Sequence, residues 1–212
     1  MKDVAIYGAG GFGRELACLI NLLNKEKPVW NLIGFFDDNP GLKGKNNEYG
    51  VILGGKDALN EWDKSLSVFI AVGSGTTVRK IVESIHNDKV GFPNFFYKAS
   101  FSDENNVTIG KGNILIGTHL SCAVSLGNFN VMNGSIVFGH DDQIGNYNTF
   151  MPGVHVSGEV HVGDECFFGA GSIILQQISI GNKVRLGAGS VLMRNPKPDS
   201  LYIGNPAKRY NL

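Results

Sequence analysis

The chain has 212 residues, with 19 Lys+Arg against 19 Asp+Glu and a formal net charge of zero, and without a basic run or stripe it offers nothing to a nucleic acid. Its three cysteines, Cys18, Cys122 and Cys166, are far apart and form no C-x-x-C pair, which argues against a disulfide framework or a zinc clip. The first apolar run is too short for a signal peptide, and no stretch of about 18 apolar residues exists to span a membrane, so a cytoplasmic protein is expected.

Residues 1–98 alternate strand and helix. Val4-Ala5-Ile6-Tyr7 reads as a short strand, followed by Gly8-Ala9-Gly10-Gly11-Phe12-Gly13. From Arg14 to Lys25 apolar residues recur at helical spacing, ending before Pro28. Leu32 to Phe36 forms a second strand that runs into Asp37-Asp38-Asn39-Pro40, a turn cluster. Ser67 to Val72 is a third, with a helix expected near Thr77 to His86. Such alternation predicts a small parallel sheet, an α/β Rossmann-like domain.

From about residue 107 the period becomes six. Leu126, Met132, Phe138, Ile144, Phe150, Val156, Val162, Phe168, Ile174, Ile180, Leu186 and Leu192 are spaced by six and all apolar. A glycine follows at 127, 139, 145, 163, 169, 181 and 187. A second period of 18 links Leu126-Gly-Asn, Ile144-Gly-Asn, Val162-Gly-Asp and Ile180-Gly-Asn. Six within eighteen describes a triangular coil with three short strands per turn, each sending one apolar residue inward. Gly and Asn are expected to take the backbone angles of the corners. Residues 99–212 are therefore expected to form an all-β left-handed parallel β-helix of hexapeptide repeats, an exception to the usual right-handed crossover. About five coils fit between 107 and 194. Ile109 and Ile116 fall out of phase with Leu126, which predicts a loop or irregular coil between 117 and 125.

Four segments together carry a resemblance. They are Tyr7-Gly8-Ala9-Gly10-Gly11-Phe12-Gly13, Phe35-Phe36-Asp37-Asp38, Gly139-His140-Asp141 and Gly204-Asn205-Pro206-Ala207-Lys208-Arg209. With the hexads, they make the chain similar to bacterial sugar acyltransferases that place a small nucleotide-binding domain ahead of a left-handed β-helix. The nearest types are UDP-4-amino-sugar N-acetyltransferases and sialic acid O-acetyltransferases. The resemblance implies an acetyl-coenzyme A-dependent acetyltransferase acting on the amine of a nucleotide-linked amino sugar in bacterial surface glycan biosynthesis. O-acetylation of a sialic acid-type sugar is the alternative, and a homotrimer is implied as the working form.

Read from its residues alone, His140 is either a general base or a solvated corner histidine beside Asp141 and Asp142. The resemblance makes it the base, with Asp141 orienting it, and puts Asn133 near the sugar. Relatives often carry a second histidine nine residues after the first, near the coenzyme, where this chain has Thr149. The repeated Gly169-Ala170-Gly171-Ser172 and Gly187-Ala188-Gly189-Ser190 leave two stacked corners bare for a pantetheine arm. Lys208 and Arg209 follow the last coil and either meet coenzyme phosphates or form a solvated basic tail. No three histidines fall on stacked coils, so no metal is expected. The loop Gly8, Gly10, Gly11, Gly13 follows a strand and opens a helix, as a phosphate site requires. By itself it would suggest an NAD-dependent oxidoreductase, but three strands make only half a dinucleotide fold. The resemblance instead gives the loop the diphosphate of a UDP-sugar, with Asp37 or Asp38 near its base or ribose. A catalytically inactive trimeric scaffold is a further reading, against which His140-Asp141 speaks.

Overall fold

The computed structural model describes residues 1–210, so 211 and 212, the end of the expected second domain, lie outside the described residues. The chain divides into two units: Met1–Gly73 with Thr77–Pro93, and Ser74–Thr76 with Asn94–Leu212.

The first unit begins with β1 (Lys2–Tyr7), α1 (Gly11–Glu26) and β2 (Trp30–Phe36), and continues with β3 (Asn46–Asn47), β4 (Gly50–Gly54) and α2 (Lys56–Asn60). β5 (Leu66–Ile70), α3 (Gly75–Ser84) and β6 (Val90–Gly91) follow. The sheet order is β3-β4-β2-β1-β5-β6, parallel throughout except for β3 against β4. Three of these strands add to the three read from the sequence. Two are only two residues long, and β4 is a brief Gly-Val-Ile-Leu-Gly run. The chain leaves β1 on one side toward β2 and returns on the other at β5, so the carboxyl ends of β1 and β5 form the switch point where such sheets bind ligands.

The second unit is a three-sided parallel coil. Face one stacks Phe95–Tyr97, Ile114–Ile116, Val131–Asn133, Thr149–Phe150, Phe167–Phe168, Arg185–Leu186 and Leu201–Ile203. Face two stacks Ser100–Phe101, His119–Leu120, Val137–Phe138, His155–Val156, Ile173–Ile174 and Val191–Leu192. Face three stacks Thr108–Ile109, Ser125–Leu126, Gln143–Ile144, His161–Val162 and Ser179–Ile180. All twelve residues of the period-six column are buried. Within the column Phe138, Phe150 and Phe168 pack ring on ring, with centroids 5.1 and 4.6 Å apart. Each such side chain withdrawn from water stabilises the coil by roughly 1.5–3 kcal/mol.

Two expectations need correction and one is narrowed. Of the two alternatives for 117–125, a loop or an irregular coil, the structure has the irregular coil. Ile109 stacks on Leu126 and Leu120 on Phe138, and the frame slip is absorbed at Gly117, where the pairing shifts between Ile116 and Thr118. The coil also begins a turn earlier than residue 107, at Phe95. The second correction concerns the glycines after the inward residues. Gly127 and Gly145 have ordinary backbone angles, and a Cβ on either would come 2.5 Å from an oxygen of the next coil. They permit close stacking. Left-handed backbone falls two residues further on, at Ser135, Asp141, Tyr147, Gly153, Glu159, Glu165, Gly171, Gln177, Lys183 and Gly189. For non-glycine residues that conformation costs about 1 kcal/mol or more each. Hydrogen bonds between coils offset it: Glu159 donates its N–H to His140 O, and Lys183 to Asp164 O, both at 2.8 Å.

Candidate active site

His140 stands at the corner between faces two and three, directly before the left-handed Asp141. Its Nδ1 lies 2.7 Å from Asp141 Oδ2. An ionised carboxylate only accepts, so Nδ1 carries the proton and Nε2 keeps its lone pair. The hydrogen bond to Asp141 raises the pKa of the imidazole above its ordinary value. Partial burial opposes the rise, and the charges of Asp141, Glu159 and Asp142 add to it. The ring rests on the next coil at Gly158, where a Cβ would come 2.6 Å from His140 Nε2. From its place 18 residues after His140, Gly158 is already expected one coil away; its part as the surface beneath the ring is seen only in the structure.

The corner between faces one and two carries the other predicted group. Gly169-Ala170 and Gly187-Ala188 lie along it one coil apart, with Asn133 two coils before Gly169. Ala170, Gly171, Ala188 and Gly189 are exposed, and nothing stands within 4 Å of a Cβ on Gly171 or Gly189. The strand Lys208–Tyr210 pairs antiparallel with Leu201–Ile203, whose Ile203 side chain reaches Gly187. The exposed Lys208 and Arg209 are thereby brought to this corner. Thr149 lies on face one, buried, with no hydrogen-bond partner for Oγ1. Within one chain, then, the His140 corner and the Gly-Ala-Gly corner stand at opposite ends of face two.

In the first unit the glycines divide their labour. Gly8 has φ 109° and a Cβ on it would meet Ala71 O at 2.6 Å, while Gly13 presses against Gly8 O. Gly10 and Gly11, at the start of α1, face open space. Asp37 ties this loop to the end of β2, because its Oδ2 accepts the Ala9 N–H at 2.9 Å and its Oδ1 the Asn39 N–H. Asp38 accepts the Lys56 N–H at 3.0 Å. Both carboxylates border a cavity of about 420 Å³ that Lys43 and Lys56 also line. Tyr7, buried at the end of β1, has its phenol pushed far above the ordinary range by burial and then by Asp38.

A buried asparagine ladder escaped the sequence reading. Asn113, Asn130 and Asn148 each sit two residues before an inward side chain. Asn130 Oδ1 accepts the Asn148 N–H, Asn148 Oδ1 accepts the Cys166 N–H, and their Nδ2 groups donate to Gly145 O and Gly163 O. Cys166 ends the ladder, giving its thiol to Gly181 O, and burial pushes that thiol up to about 12.

Comparison with known proteins agrees with this architecture. Residues 3–85 match the PglD N-terminal domain, and residues 159–194 match the hexapeptide repeat of succinyl-transferase. No curated protein matches the sequence. Among solved structures, the acetyltransferase domain of PglB from Neisseria gonorrhoeae is similar at 25% identity and a TM-score of 0.87, over 99% of this chain and all of that one. The same domain in complex with acetyl coenzyme A matches at 27% identity and a TM-score of 0.79, over 99% of each chain. WeeI from Acinetobacter baumannii matches at 26% identity and a TM-score of 0.86, over 99% of this chain and all of that one. PerB from Caulobacter crescentus, in complex with CoA and GDP-perosamine, shares the fold at 24% identity and a TM-score of 0.85, over 100% of this chain and 98% of that one. The coil is thus the left-handed β-helix of the hexapeptide transferases, and the protein is an acyltransferase. Specifically, with a PglD-type N-terminal domain ahead of such a helix, the chain is similar over nearly its whole length to the acetyltransferase domain of PglB and to WeeI.

Proposed function

We propose that the protein transfers the acetyl group of acetyl-CoA to the amine of a nucleotide-linked amino sugar, with His140 as general base. The observation that carries the assignment is the His140–Asp141 pair, which leaves Nε2 unprotonated on a ring that rests over Gly158. The sugar amine attacks the thioester carbonyl and its proton passes to Nε2. The C–S bond then breaks, and the proton is available to the departing CoA thiolate. The Gly-Ala-Gly corner has room for the slender pantetheine arm, and Lys208 and Arg209 supply charge for its phosphates. In the first unit, Gly10, Gly11 and the amino end of α1 suit the sugar's diphosphate.

The working form in this proposal is a homotrimer. A single chain holds its base and its coenzyme corner at opposite ends of face two, so a complete cleft needs a second copy. Face two also carries the exposed Ile173 and, beside it, the exposed Met193, apolar surface suited to an interface. Light scattering should give three chain masses; a monomer with full activity would contradict the arrangement. Coenzyme A release from acetyl-CoA, screened across UDP- and GDP-linked amino sugars, tests the activity. His140→Ala should lower kcat by about 10²–10⁴ with coenzyme binding retained.

A further inference from the structure

Asp142 is the one charged member of an otherwise apolar column. At this corner the residues two before the inward side chain are Val124, Asp142, Val160 and Ile178, all buried. Asp142 is 0% exposed. Its Oδ1 accepts the Val160 N–H at 2.9 Å, in the i to i+18 register by which Asn130 and Asn148 accept theirs. In the asparagines the second atom of the head group donates to the carbonyl at i+15, Gly145 for Asn130 and Gly163 for Asn148. The corresponding carbonyl for Asp142 is that of Ser157. Asp142 Oδ2 is buried and has no hydrogen-bond partner of its own; the Gly139 N–H, close enough to favour the charged form, is given to Val156 O at 2.9 Å. An ionised carboxylate in that place would press one oxygen, undonated, toward a carbonyl. A neutral carboxylic acid would complete the asparagine pattern.

We propose that Asp142 is a positioning residue for His140: carried as the neutral acid, it clamps the corner that bears the imidazole to segment 157–160, on which the ring rests. Val160 donates its N–H to that head group, the asparagine register assigns Ser157 C=O to the neutral acid as its acceptor, and Gly158, between the two, is the surface beneath His140. Burial also pushes the carboxyl up to about 7, against the opposing effect of the Val160 and Gly139 amides and of His140. The other titratable groups around the corner are Asp141 on the same turn, Glu159 and His161 one coil on, and Cys122 one coil back. Neutralising Asp142 removes one acid whose charge, once formed, would hold the proton on His140 to higher pH.

The inference rests on His140 being the base, and two variants with two readouts separate the claims. Asp142→Val places in the column the side chain already present at 124 and 160, and is expected to lower kcat about tenfold with KM for acetyl-CoA unchanged. Asp142→Asn keeps both the acceptor and a donor, and is expected to restore kcat to within about twofold of the parent at pH 6.5. It should then overtake the parent severalfold by pH 8.5, where the parent carboxyl is ionised. An Asn variant no better than the Val variant, or a parent-to-Asn ratio that stays constant from pH 6 to 9, overturns the proposal. The second readout needs no turnover. The His140 ring resonances of the intact protein should titrate with a second inflection near neutrality that vanishes in Asp142→Asn. An unchanged titration refutes the coupling even if His140→Ala shows that the base lies elsewhere.

Discussion

A methyl group added at Gly158 tests the placement of His140 without touching the histidine. Gly158 does not occupy left-handed backbone, so alanine brings no conformational strain of its own. Its Cβ would lie 2.6 Å from His140 Nε2, 2.8 Å from Cε1 and 2.9 Å from Cδ2. Ordinary contact begins near 3.4 Å, so the ring must withdraw by about 0.8 Å from its place over the coil. A displacement of about 1 Å in a catalytic group costs up to about 10²-fold. The imidazole is half exposed and can swing toward solvent, so little stability should be lost. Gly158→Ala is therefore expected to lower kcat about 10- to 100-fold, with KM for acetyl-CoA within about twofold and the melting temperature within a few degrees. Steady-state kinetics with the amino-sugar acceptor, alongside thermal unfolding, provide the assay. A variant that folds and keeps kcat within about twofold would show that the imidazole does not work from this position.

Asp141→Asn should move the acid limb of kcat/KM to lower pH. The carboxylate raises the imidazole pKa, a base works only above its pKa, and without that charge the unprotonated ring appears earlier on the pH axis; an unmoved limb would mean that another group titrates. Asn148→Ala leaves the buried Cys166 N–H and Gly163 C=O without their partners, at about 1–3 kcal/mol for each group. Denaturant unfolding should show a loss of about 2–6 kcal/mol, and a loss below about 0.5 kcal/mol would deny the ladder a structural role.

The β-helix was legible because its inward positions are chemically strict. An apolar side chain is required every sixth residue, and Leu126 through Leu192 supply it without exception. What the sequence concealed was conformational. Asp141, Tyr147, Glu165 and Lys183 take left-handed backbone that their side chains do not advertise, because the coil and its inter-coil hydrogen bonds impose it. The first turn, at Phe95, was hidden by the seventeen-residue spacing between Ile109 and Leu126, which breaks the count. The asparagines at 113, 130 and 148 were visible, but they precede the inward residues, whereas the obvious Gly-Asn repeats follow them. In the first unit β3 and β6 are held by sheet neighbours and not by any propensity of two residues. The residues of the candidate site could be named from the sequence, but not their arrangement. That His140 and the Gly-Ala-Gly corner belong to opposite ends of one face emerges only once the coils are counted onto their three faces.

The assignment of an amine on a nucleotide sugar as the acceptor is tested most directly by a paired measurement. The protein is given acetyl-CoA with a UDP-4-amino-4,6-dideoxy sugar in one arm and free sialic acid in the other, and coenzyme A release is followed in both. The glycine loop of the first unit has a diphosphate to hold only in the first arm, and an amine is the better nucleophile when one histidine must remove the proton. The kcat/KM for the amino sugar should be the higher by orders of magnitude. A value for sialic acid equal to it or above it would contradict the account.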